Sequence, residues 1–237
     1  MNLSIRREIS RDNLKAVLFD LDGVLIETEH ETFQFYQKYL KEHYGIILPD
    51  SAFQLKAGRK SADFWQDALT AEQRSVVDTE KLTTFKRKQF NAHPDTYIKK
   101  AFGGKELIQA LRMRGWQTGL TTQNEEQMMR TVLAWLDIES LFDVMLSLKD
   151  ITKKKPDPEI YLKAAQCLAV APSACIVIED SKDGVASAKN AGMRCIGIAH
   201  PYTSLGDLDR ADTVVHALAE IAPIIAIHAD KKMQTNR

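Results

Sequence analysis

Two aspartates, Asp20 and Asp22, follow directly after the short apolar run at residues 16–19. Residues i and i+2 of an extended chain point the same way, so the two carboxylates would be held close together. Two buried negative charges in such a position are costly unless a cation or a proton lies between them. The pair therefore predicts a site that binds a cation or transfers protons.

Polar side chains with complementary chemistry follow three other short apolar runs, at residues 117–122, 143–148 and 174–179. They are Thr122 with Gln123, Lys155, and Glu179 with Asp180. Taken singly, each has an ordinary interpretation as a turn residue, a solvated lysine or an acid that stabilises a helix N-terminus. Because the carboxyl ends of parallel strands meet at one edge of a sheet, their joint occurrence favours a single site.

The chemistry of this set is suited to phosphoryl transfer. The four acids offer only oxygen ligands, and Mg²⁺ fits a site with few carboxylates and several substrate oxygens. Lys155 and Thr122 add a positive charge and a hydroxyl donor for an anion bound beside that metal. A cation, an anion-binding lysine and a free carboxylate are the groups that phosphoryl transfer requires.

The apolar runs alternate with helical patterns along the chain. Further runs lie at residues 194–199 and 212–215, and apolar residues at helical spacing occur between runs, as at Leu107, Ile108 and Leu111. This alternation predicts right-handed βαβ units and an α/β fold with a doubly wound, Rossmann-like parallel sheet. Such a sheet binds ligands beyond the carboxyl ends of its strands, where the polar set falls.

One segment interrupts the alternation. Residues from about 29 to 101 contain no convincing strand, and their apolar residues fall on three helical faces: Phe33, Tyr36 and Leu40; Phe64, Trp65 and Leu69; and Leu82, Phe85 and Phe90. We therefore expect an all-helical cap domain at residues 28–101, inserted into an α/β core formed by residues 1–27 and 102–237.

Charge and hydropathy exclude several classes of partner. Lys plus Arg and Asp plus Glu are equal at 32 each, so no overall field favours nucleic acid or an anionic membrane. The sequence has no apolar run of about 18 residues and begins without a signal-peptide pattern. We expect a cytoplasmic monomer that acts on a small molecule.

Four segments resemble the motifs of the haloacid dehalogenase superfamily, in the same order and spacing. They are DLDGV at 20–24, the strand that ends in Thr122, KPDP at 155–158, and VIEDSKDGVASAKNAGM at 177–193. The resemblance is greatest to capped phosphatases and phosphomutases such as phosphoglycolate phosphatase and β-phosphoglucomutase. It implies a Mg²⁺-dependent phosphoric monoester hydrolase that acts on a sugar phosphate or a similar metabolite.

The resemblance also implies a role for each residue of the set. Asp20 would be the nucleophile that forms an aspartyl-phosphate, and Asp22 would protonate the leaving oxygen and later activate water. The implied phosphate ligands are Thr122, Lys155 and a backbone N–H near Gln123. The implied metal ligands are Asp20, Asp22 through its main-chain carbonyl, Asp180, and Glu179 directly or through water. A nucleophilic carboxylate must be ionised whereas an acid must keep its proton, so the two aspartates must differ in pKa.

One loop of the predicted cap domain offers candidate residues for substrate recognition. The loop at residues 55–61 precedes a cap helix and resembles the substrate-contacting loop of capped relatives. Arg59 and Lys60 are therefore candidate specificity residues, with a solvated turn as the equal alternative.

Two other functions remain as alternatives to a phosphatase. A phosphomutase is weakened because Lys60 stands where a cap arginine would grip a second phosphate, and Thr32 stands where many relatives carry a histidine. A response-regulator receiver is disfavoured because its phosphorylated aspartate ends the third strand and does not pair with a first-strand DxD.

Overall fold

The computed structural model describes residues 14–56, 61–204 and 206–225. Its strands are β1 (Ala16–Phe19), β2 (Ile26–Glu27), β3 (Lys99–Lys100), β4 (Gln117–Thr121), β5 (Val144–Leu146), β6 (Cys175–Glu179), β7 (Arg194–Ile198) and β8 (Thr213–Val215). Six of them form a parallel sheet in the order β5-β4-β1-β6-β7-β8. The predicted strands at residues 15–20, 117–122, 143–148, 174–179, 194–199 and 212–215 are all present in this sheet.

Helices cover both faces of the sheet. The helices are α1 (Glu29–Tyr44), α2 (Phe53–Lys56), α3 (Ser61–Ala68), α4 (Ala71–Val76), α5 (Thr79–Ala92), α6 (Pro94–Tyr97), α7 (Gly104–Arg112), α8 (Glu126–Leu136), α9 (Glu159–Cys167), α10 (Lys182–Asn190) and α11 (Ile221–Ile224). Val17 and Phe19 of β1 pack in the same apolar cluster as α7 and α8, whereas Ala16 and Leu18 pack with α9 and α10. Alternate side chains of β1 therefore pack into separate apolar cores on the two faces of the sheet, which confirms the doubly wound α/β fold.

Strand register brings the ends of the three central strands to one level. Phe19 of β1 pairs with Leu120 of β4 on one side and with Ile178 of β6 on the other, and all three are buried. The residues that follow them in the chain are Asp20, Thr121 and Glu179. The polar residues at the carboxyl edge therefore lie side by side because the register of the apolar residues requires it.

The segment between β2 and β3 contains helices α1 to α6 and has its own apolar core. That core is formed by Phe33, Tyr36, Leu40, Leu48, Ala52, Phe64, Trp65, Leu69, Val77 and Leu82. The segment leaves and rejoins the sheet domain through one antiparallel pair, in which Ile26 lies opposite Lys100 and Glu27 opposite Lys99. We call this part, residues 28–98, the helical segment.

The helical segment differs in detail from the expectation drawn from its sequence. The short strand Lys99–Lys100 is not predicted, because two lysines carry no apolar pattern that distinguishes a strand from a loop. Phe85, predicted on a buried helical face, is 39% exposed, although its ring contacts Phe35 and Tyr39. Arg59 and Lys60 lie outside the described residues. None of the helices in the described ranges combines the length and apolar character needed to cross a bilayer.

Candidate active site

A buried lysine joins two of the predicted acids. Lys155 Nζ donates a hydrogen bond to Asp20 Oδ1 at 2.6 Å and another to Glu179 Oε1 at 2.6 Å. The exposed fractions of the three side chains are 5% for Lys155, 11% for Asp20 and 0% for Glu179. An ammonium at this depth requires carboxylate partners, and both partners follow central strands of the sheet.

Glu179 is held rigidly by further donors. Its Oε1 also accepts a hydrogen bond from the buried Tyr161 hydroxyl at 2.9 Å. Its Oε2 accepts from the main-chain N–H groups of Asp180 and Ser181 and from the Ser181 hydroxyl. Each oxygen of Glu179 therefore already has more than one donor, which suits it to orient Lys155.

Asp22 has a different set of partners from Asp20. Its Oδ2 accepts a hydrogen bond from the side-chain amide of Asn124 at 2.6 Å, and the Thr28 hydroxyl lies 3.5 Å from its Oδ1. Asn124 lies just after β4, so the carboxyl end of β4 supplies the side chain that orients Asp22, which follows β1. The nearest donors of Asp22 are neutral, whereas Asp20 contacts a cation directly.

Two glycines allow the acids to approach the main chain closely. Gly23 has φ +72°, and a Cβ on it would lie 1.8 Å from Asp180 Oδ2. A Cβ on Gly184, in the first turn of α10, would lie 1.8 Å from Glu179 Oε1. Only a residue without a side chain fits at these positions, and at Gly23 the left-handed backbone adds a second reason.

Burial and mutual repulsion keep protons on this acidic group. Burial is the largest cause that raises the pKa of Asp20, to about 7, with Glu179 and Asp22 adding to it and Lys155 opposing it. Burial also raises the pKa of Asp22, and burial with the charges of Glu179 and Asp20 raises that of Asp180 well above its ordinary value. The site therefore carries more negative charge than Lys155 balances.

Lys155 and Glu179 shift in the direction that favours their charged forms. Burial alone would lower the pKa of Lys155, but Asp20 and Glu179 hold it well above its ordinary value. Burial alone would raise the pKa of Glu179, but Lys155 and the Ser181 N–H lower it. This pair is therefore ionised at neutral pH, and protons that bind to the site go to the aspartates.

Donors for an anion lie beside the acids. The Thr122 side chain is buried, and its hydroxyl accepts a hydrogen bond from Asn124 N–H at 3.1 Å, which leaves its own hydrogen to donate. The side-chain nitrogen of Gln123 is buried and has no hydrogen-bond partner within the described part of the chain. With Lys155, these groups give the site a cation, a hydroxyl and an amide.

A cleft of about 650 Å³ opens onto these groups. Its lining includes Asp20, Asp22, Thr122, Gln123, Lys155 and Asp180, so the structure brings together every predicted site residue that it describes except Glu179, which lies beneath Lys155. The helical segment contributes Thr28, Glu29, Gln54 and Asp63 to the lining of the same cleft. The volume is typical of small-molecule sites, and the cleft lies beyond the carboxyl ends of the parallel strands.

The sequence profile of the haloacid dehalogenase-like hydrolases matches residues 17–198. The match runs from β1 to β7 and includes all the acids described above. The protein belongs to this family. The predicted membership of the haloacid dehalogenase (HAD) superfamily, and with it the prediction of a hydrolytic enzyme, is confirmed.

Two relatives that are at least 30% identical to this HAD hydrolase carry phosphatase names. A validoxylamine A 7'-phosphate phosphatase of Streptomyces hygroscopicus subsp. limoneus is 30% identical over 208 residues, covering 87% of this chain and 95% of that protein. A phosphorylated carbohydrates phosphatase of Thermotoga maritima is 31% identical over 194 residues, covering 79% and 86%. A solved HAD family hydrolase from Deinococcus radiodurans R1, with bound phosphate and sodium, has a TM-score of 0.74 and 28% identity, and the match covers 91% of this chain and 96% of that one.

The donor set around the acids suits a metal that also takes oxygens from water and substrate. Within the described ranges, no three carboxylate, imidazole or thiolate side chains converge closely enough to enclose a metal ion alone. The Lys155 ammonium lies between Asp20 and Glu179, and Asp22 is turned toward Asn124. A few carboxylates and one main-chain carbonyl, completed by water and phosphate, are what Mg²⁺ usually binds, so the residues present fit such an ion.

Several residues of the site are not identified by reasoning from the sequence. Tyr161 falls in an apolar helical pattern that predicts only a core position, yet its hydroxyl contacts Glu179. His200, beyond β7, donates a hydrogen bond from Nε2 to the Gly23 carbonyl at 2.8 Å, and the same nitrogen lies 3.7 Å from Asp180 Oδ2. A carbonyl can only accept, so the His200 Nε2 carries the hydrogen. Histidines without regular spacing give no sequence signal for such a contact.

Proposed function

We propose that this HAD hydrolase is a Mg²⁺-dependent phosphatase that hydrolyses a small phosphomonoester through an aspartyl-phosphate. The observation that carries the proposal is the different environment of the two first-strand acids. Asp20 contacts the buried ammonium of Lys155, whereas Asp22 contacts the neutral amide of Asn124. Two carboxylates with different partners can act in different protonation states, which nucleophilic and acid–base roles require.

Asp20 acts as the nucleophile. One of its oxygens forms a bond to phosphorus while the bond between phosphorus and the leaving oxygen breaks. Lys155, 2.6 Å from Asp20 Oδ1, favours the ionised carboxylate and balances the charge of the phosphoryl oxygens. Thr122 and Gln123 donate hydrogen bonds to the same oxygens, and groups fixed in advance are effective because they need no reorganisation during the reaction.

Asp22 carries the proton in both halves of the reaction. Its pKa is raised by burial, so it can hold a proton and give it to the leaving oxygen as an alcohol departs. The carboxylate that results then removes a proton from water, and that water attacks the aspartyl-phosphate. The products are the alcohol, inorganic phosphate and the original Asp20 carboxylate, with one water consumed.

Asp20, Asp180 and the main-chain carbonyl of Asp22 would hold the Mg²⁺. When bound, Mg²⁺ supplies positive charge that neutralises the carboxylates and the transferred phosphoryl group. The close approach of the Asp180 carboxylate to Gly23, the residue that follows Asp22 in the chain, supports this assignment. For Glu179, whose oxygens already accept hydrogen bonds from several donors, we propose the orientation of Lys155 and contact with the metal only through water.

The names of the relatives support a small phosphorylated metabolite, such as a sugar phosphate, as the substrate. One is named for validoxylamine A 7'-phosphate and the other for phosphorylated carbohydrates. A phosphomutase is not favoured: both names denote phosphatases, and Thr32, at the position where many relatives carry histidine, is a buried, uncharged residue of α1.

The test is a phosphate-release screen of phosphorylated metabolites with purified protein, with Mg²⁺ and then with excess chelator. We expect turnover of at least one sugar phosphate that stops with chelator, returns with Mg²⁺ and is inhibited by beryllium fluoride. Absence of phosphate release from every compound, including p-nitrophenyl phosphate, would contradict the proposal. Conversion of β-glucose 1-phosphate to glucose 6-phosphate faster than phosphate release would identify a mutase.

A further inference from the structure

The loop that follows β7 forms part of the wall of the cleft. Tyr202, Thr203, Ser204 and Asp207 line it together with the phosphoryl-site residues. These residues belong to the sheet domain and come after the family motifs, so neither the motifs nor the helical segment accounts for them. A wall with an aromatic ring, two hydroxyls and a carboxylate has the character of a recognition surface.

Hydrogen bonds within the loop fix its shape. His200 N–H donates to the Thr203 hydroxyl at 2.8 Å, and Thr203 N–H donates back to the His200 carbonyl at 3.0 Å. Ser204 N–H donates to Asp207 Oδ2 at 3.2 Å. A surface that is ordered before the ligand arrives loses less entropy on binding.

Aromatic contacts hold Tyr202 between the catalytic loop and the helical segment. Its ring stacks on His200, with 5.0 Å between centroids and 11° between planes, and meets Phe53 of α2 edge-on at 6.0 Å. His200 in turn donates to the Gly23 carbonyl. The position of the Tyr202 ring is therefore tied to the loop that carries Asp20 and Asp22.

The Tyr202 hydroxyl is available to a ligand. Within the described ranges no hydrogen bond to it is present, and the residue is only partly buried on the wall of the cleft. The same cleft is also lined by the carboxylates of Glu29 and Asp63 and the amide of Gln54, all from the helical segment. A leaving group with several hydroxyls can donate to these acceptors and accept from Tyr202.

The charges on the described wall beside Tyr202 disfavour an anionic leaving group on this side of the cleft. Among the described lining residues, acids outnumber cations, and the cation other than Lys155 is Lys182. An anionic leaving group, such as a carboxylate or a second phosphate, would be repelled by Asp63 and Asp207, whereas a neutral polyol would be accepted.

We propose that Tyr202 is a specificity-determining residue, whose hydroxyl binds an uncharged, hydroxyl-rich leaving group against the acidic wall of the helical segment. This inference rests on the proposed phosphatase function. It assigns part of substrate selection to the sheet domain, separately from the predicted role of Arg59 and Lys60.

The test compares Tyr202→Phe with wild type on glucose 6-phosphate, 2-phosphoglycolate and p-nitrophenyl phosphate. Wild type should prefer glucose 6-phosphate to the anionic 2-phosphoglycolate. Tyr202→Phe should lower kcat/KM for glucose 6-phosphate by about threefold to tenfold, the value of one hydrogen bond, mainly through KM. The value for p-nitrophenyl phosphate and the inhibition constant of inorganic phosphate should not change, because neither ligand offers a hydroxyl to this wall.

Tyr39→Phe is the matched control. Tyr39 also stacks on a histidine, His43, with 4.0 Å between centroids and 11° between planes, but it does not line the cleft. This variant should behave as wild type on all three esters. Tyr202→Leu should have a larger effect on glucose 6-phosphate than Tyr202→Phe, with inhibition by inorganic phosphate retained as the sign of an intact phosphoryl site.

Three results separate the possible failures. If Tyr202→Phe leaves all three esters unchanged, or lowers them equally, this inference is wrong while the phosphatase function stands. If wild type prefers 2-phosphoglycolate, the assigned class of leaving group is wrong. If wild type releases phosphate from none of the esters, the proposed function fails and this inference fails with it.

Discussion

The proposed phosphoryl site rests on one sheet, whereas the proposed leaving-group side of the cleft is shared by two separately packed units. Asp20, Thr122 and Glu179 take their positions from the register of buried strands, and their hydrogen bonds are largely made within the protein. Tyr202 and Phe53 approach each other only because the helical segment rests on the sheet domain. In the proposed phosphatase, the groups that act on every turnover would lie in the most rigidly packed part, and the groups that select a substrate would lie where the contact is easiest to change.

The largest expected effect is loss of turnover on Asp20→Asn. An amide is a poor nucleophile and a poor Mg²⁺ ligand, so activity should fall below about 1% of wild type. The measurement is phosphate release from the best ester of the screen. Asp95→Asn, an exposed acid on α6, is the control and should keep full activity. Turnover by Asp20→Asn near the wild-type rate would contradict the proposal that Asp20 forms a covalent aspartyl-phosphate.

The second largest effect is expected on replacing Gly23, and a comparison with Gly115 separates a steric clash with Asp180 from the strain of a left-handed backbone. Gly23 and Gly115 both have positive φ, +72° and +77°, but only at Gly23 would a Cβ strike another residue, Asp180. Each change to Ala should lower the free energy of unfolding by about 1 kcal/mol from strain alone. Gly23→Ala should also weaken Mg²⁺ binding by about tenfold or more, because it displaces a supporting contact of the proposed site.

Calorimetric titration with Mg²⁺ measures the binding, and urea unfolding measures the strain in both glycine variants. Gly115→Ala should bind Mg²⁺ as wild type does. Equal Mg²⁺ affinity in the Gly23→Ala protein would contradict the assignment of Asp180 and the Asp22 carbonyl to the metal.

A third prediction concerns the dependence of stability on pH without metal. The pKa of Asp180 is raised in the folded protein by burial and by Glu179 and Asp20, so the folded state holds a proton that the unfolded state releases above about pH 4. The free energy of unfolding contributed by this group is therefore lost as the pH rises from about 4 toward neutrality. Asp180→Asn should be more stable than wild type in chelator at pH 7, and the difference should shrink toward pH 4.

Mg²⁺ should reverse the order of the two proteins. It should raise the melting temperature of wild type at pH 7 and have little effect on Asp180→Asn, because only wild type keeps the carboxylate that binds the ion. If the variant is no more stable than wild type in chelator at pH 7, the acidic group is not a source of strain.

The smallest effect is expected at the contact between the two units. Arg87 of α5 pairs with Glu125, just before α8, at 3.1 Å, and both side chains are about 60% exposed. Arg87→Gln should change the free energy of unfolding by less than about 1 kcal/mol. Arg130→Gln, which removes ion pairs within the sheet domain to Glu126 and Glu139, is the control in the same urea experiment. A loss of several kcal/mol on Arg87→Gln alone would mean that the units are locked together.

The sequence predicts the sheet and its acidic edge well because both follow from short-range pattern. Buried parallel strands read as continuous apolar runs, and the residue after each run must lie at the carboxyl edge. It could not predict that Asn124 would orient Asp22, or that Tyr161 would donate to Glu179, because these contacts join residues far apart in the chain. The same limit applies to Tyr202, whose role depends on how the helical segment meets the sheet domain.

The β2–β3 pair has a consequence for how the protein can change over evolutionary time. Ile26 and Lys100 lie opposite each other on adjacent antiparallel strands, the geometry of the two arms of a hairpin. To the sheet domain, everything between them is therefore equivalent to one long turn. A piece of chain with this geometry can be exchanged for another of different length without moving Asp20 or Asp22. In the proposed phosphatase, replacing the helical segment could therefore change which substrate is accepted, while the residues proposed for the reaction stay in place.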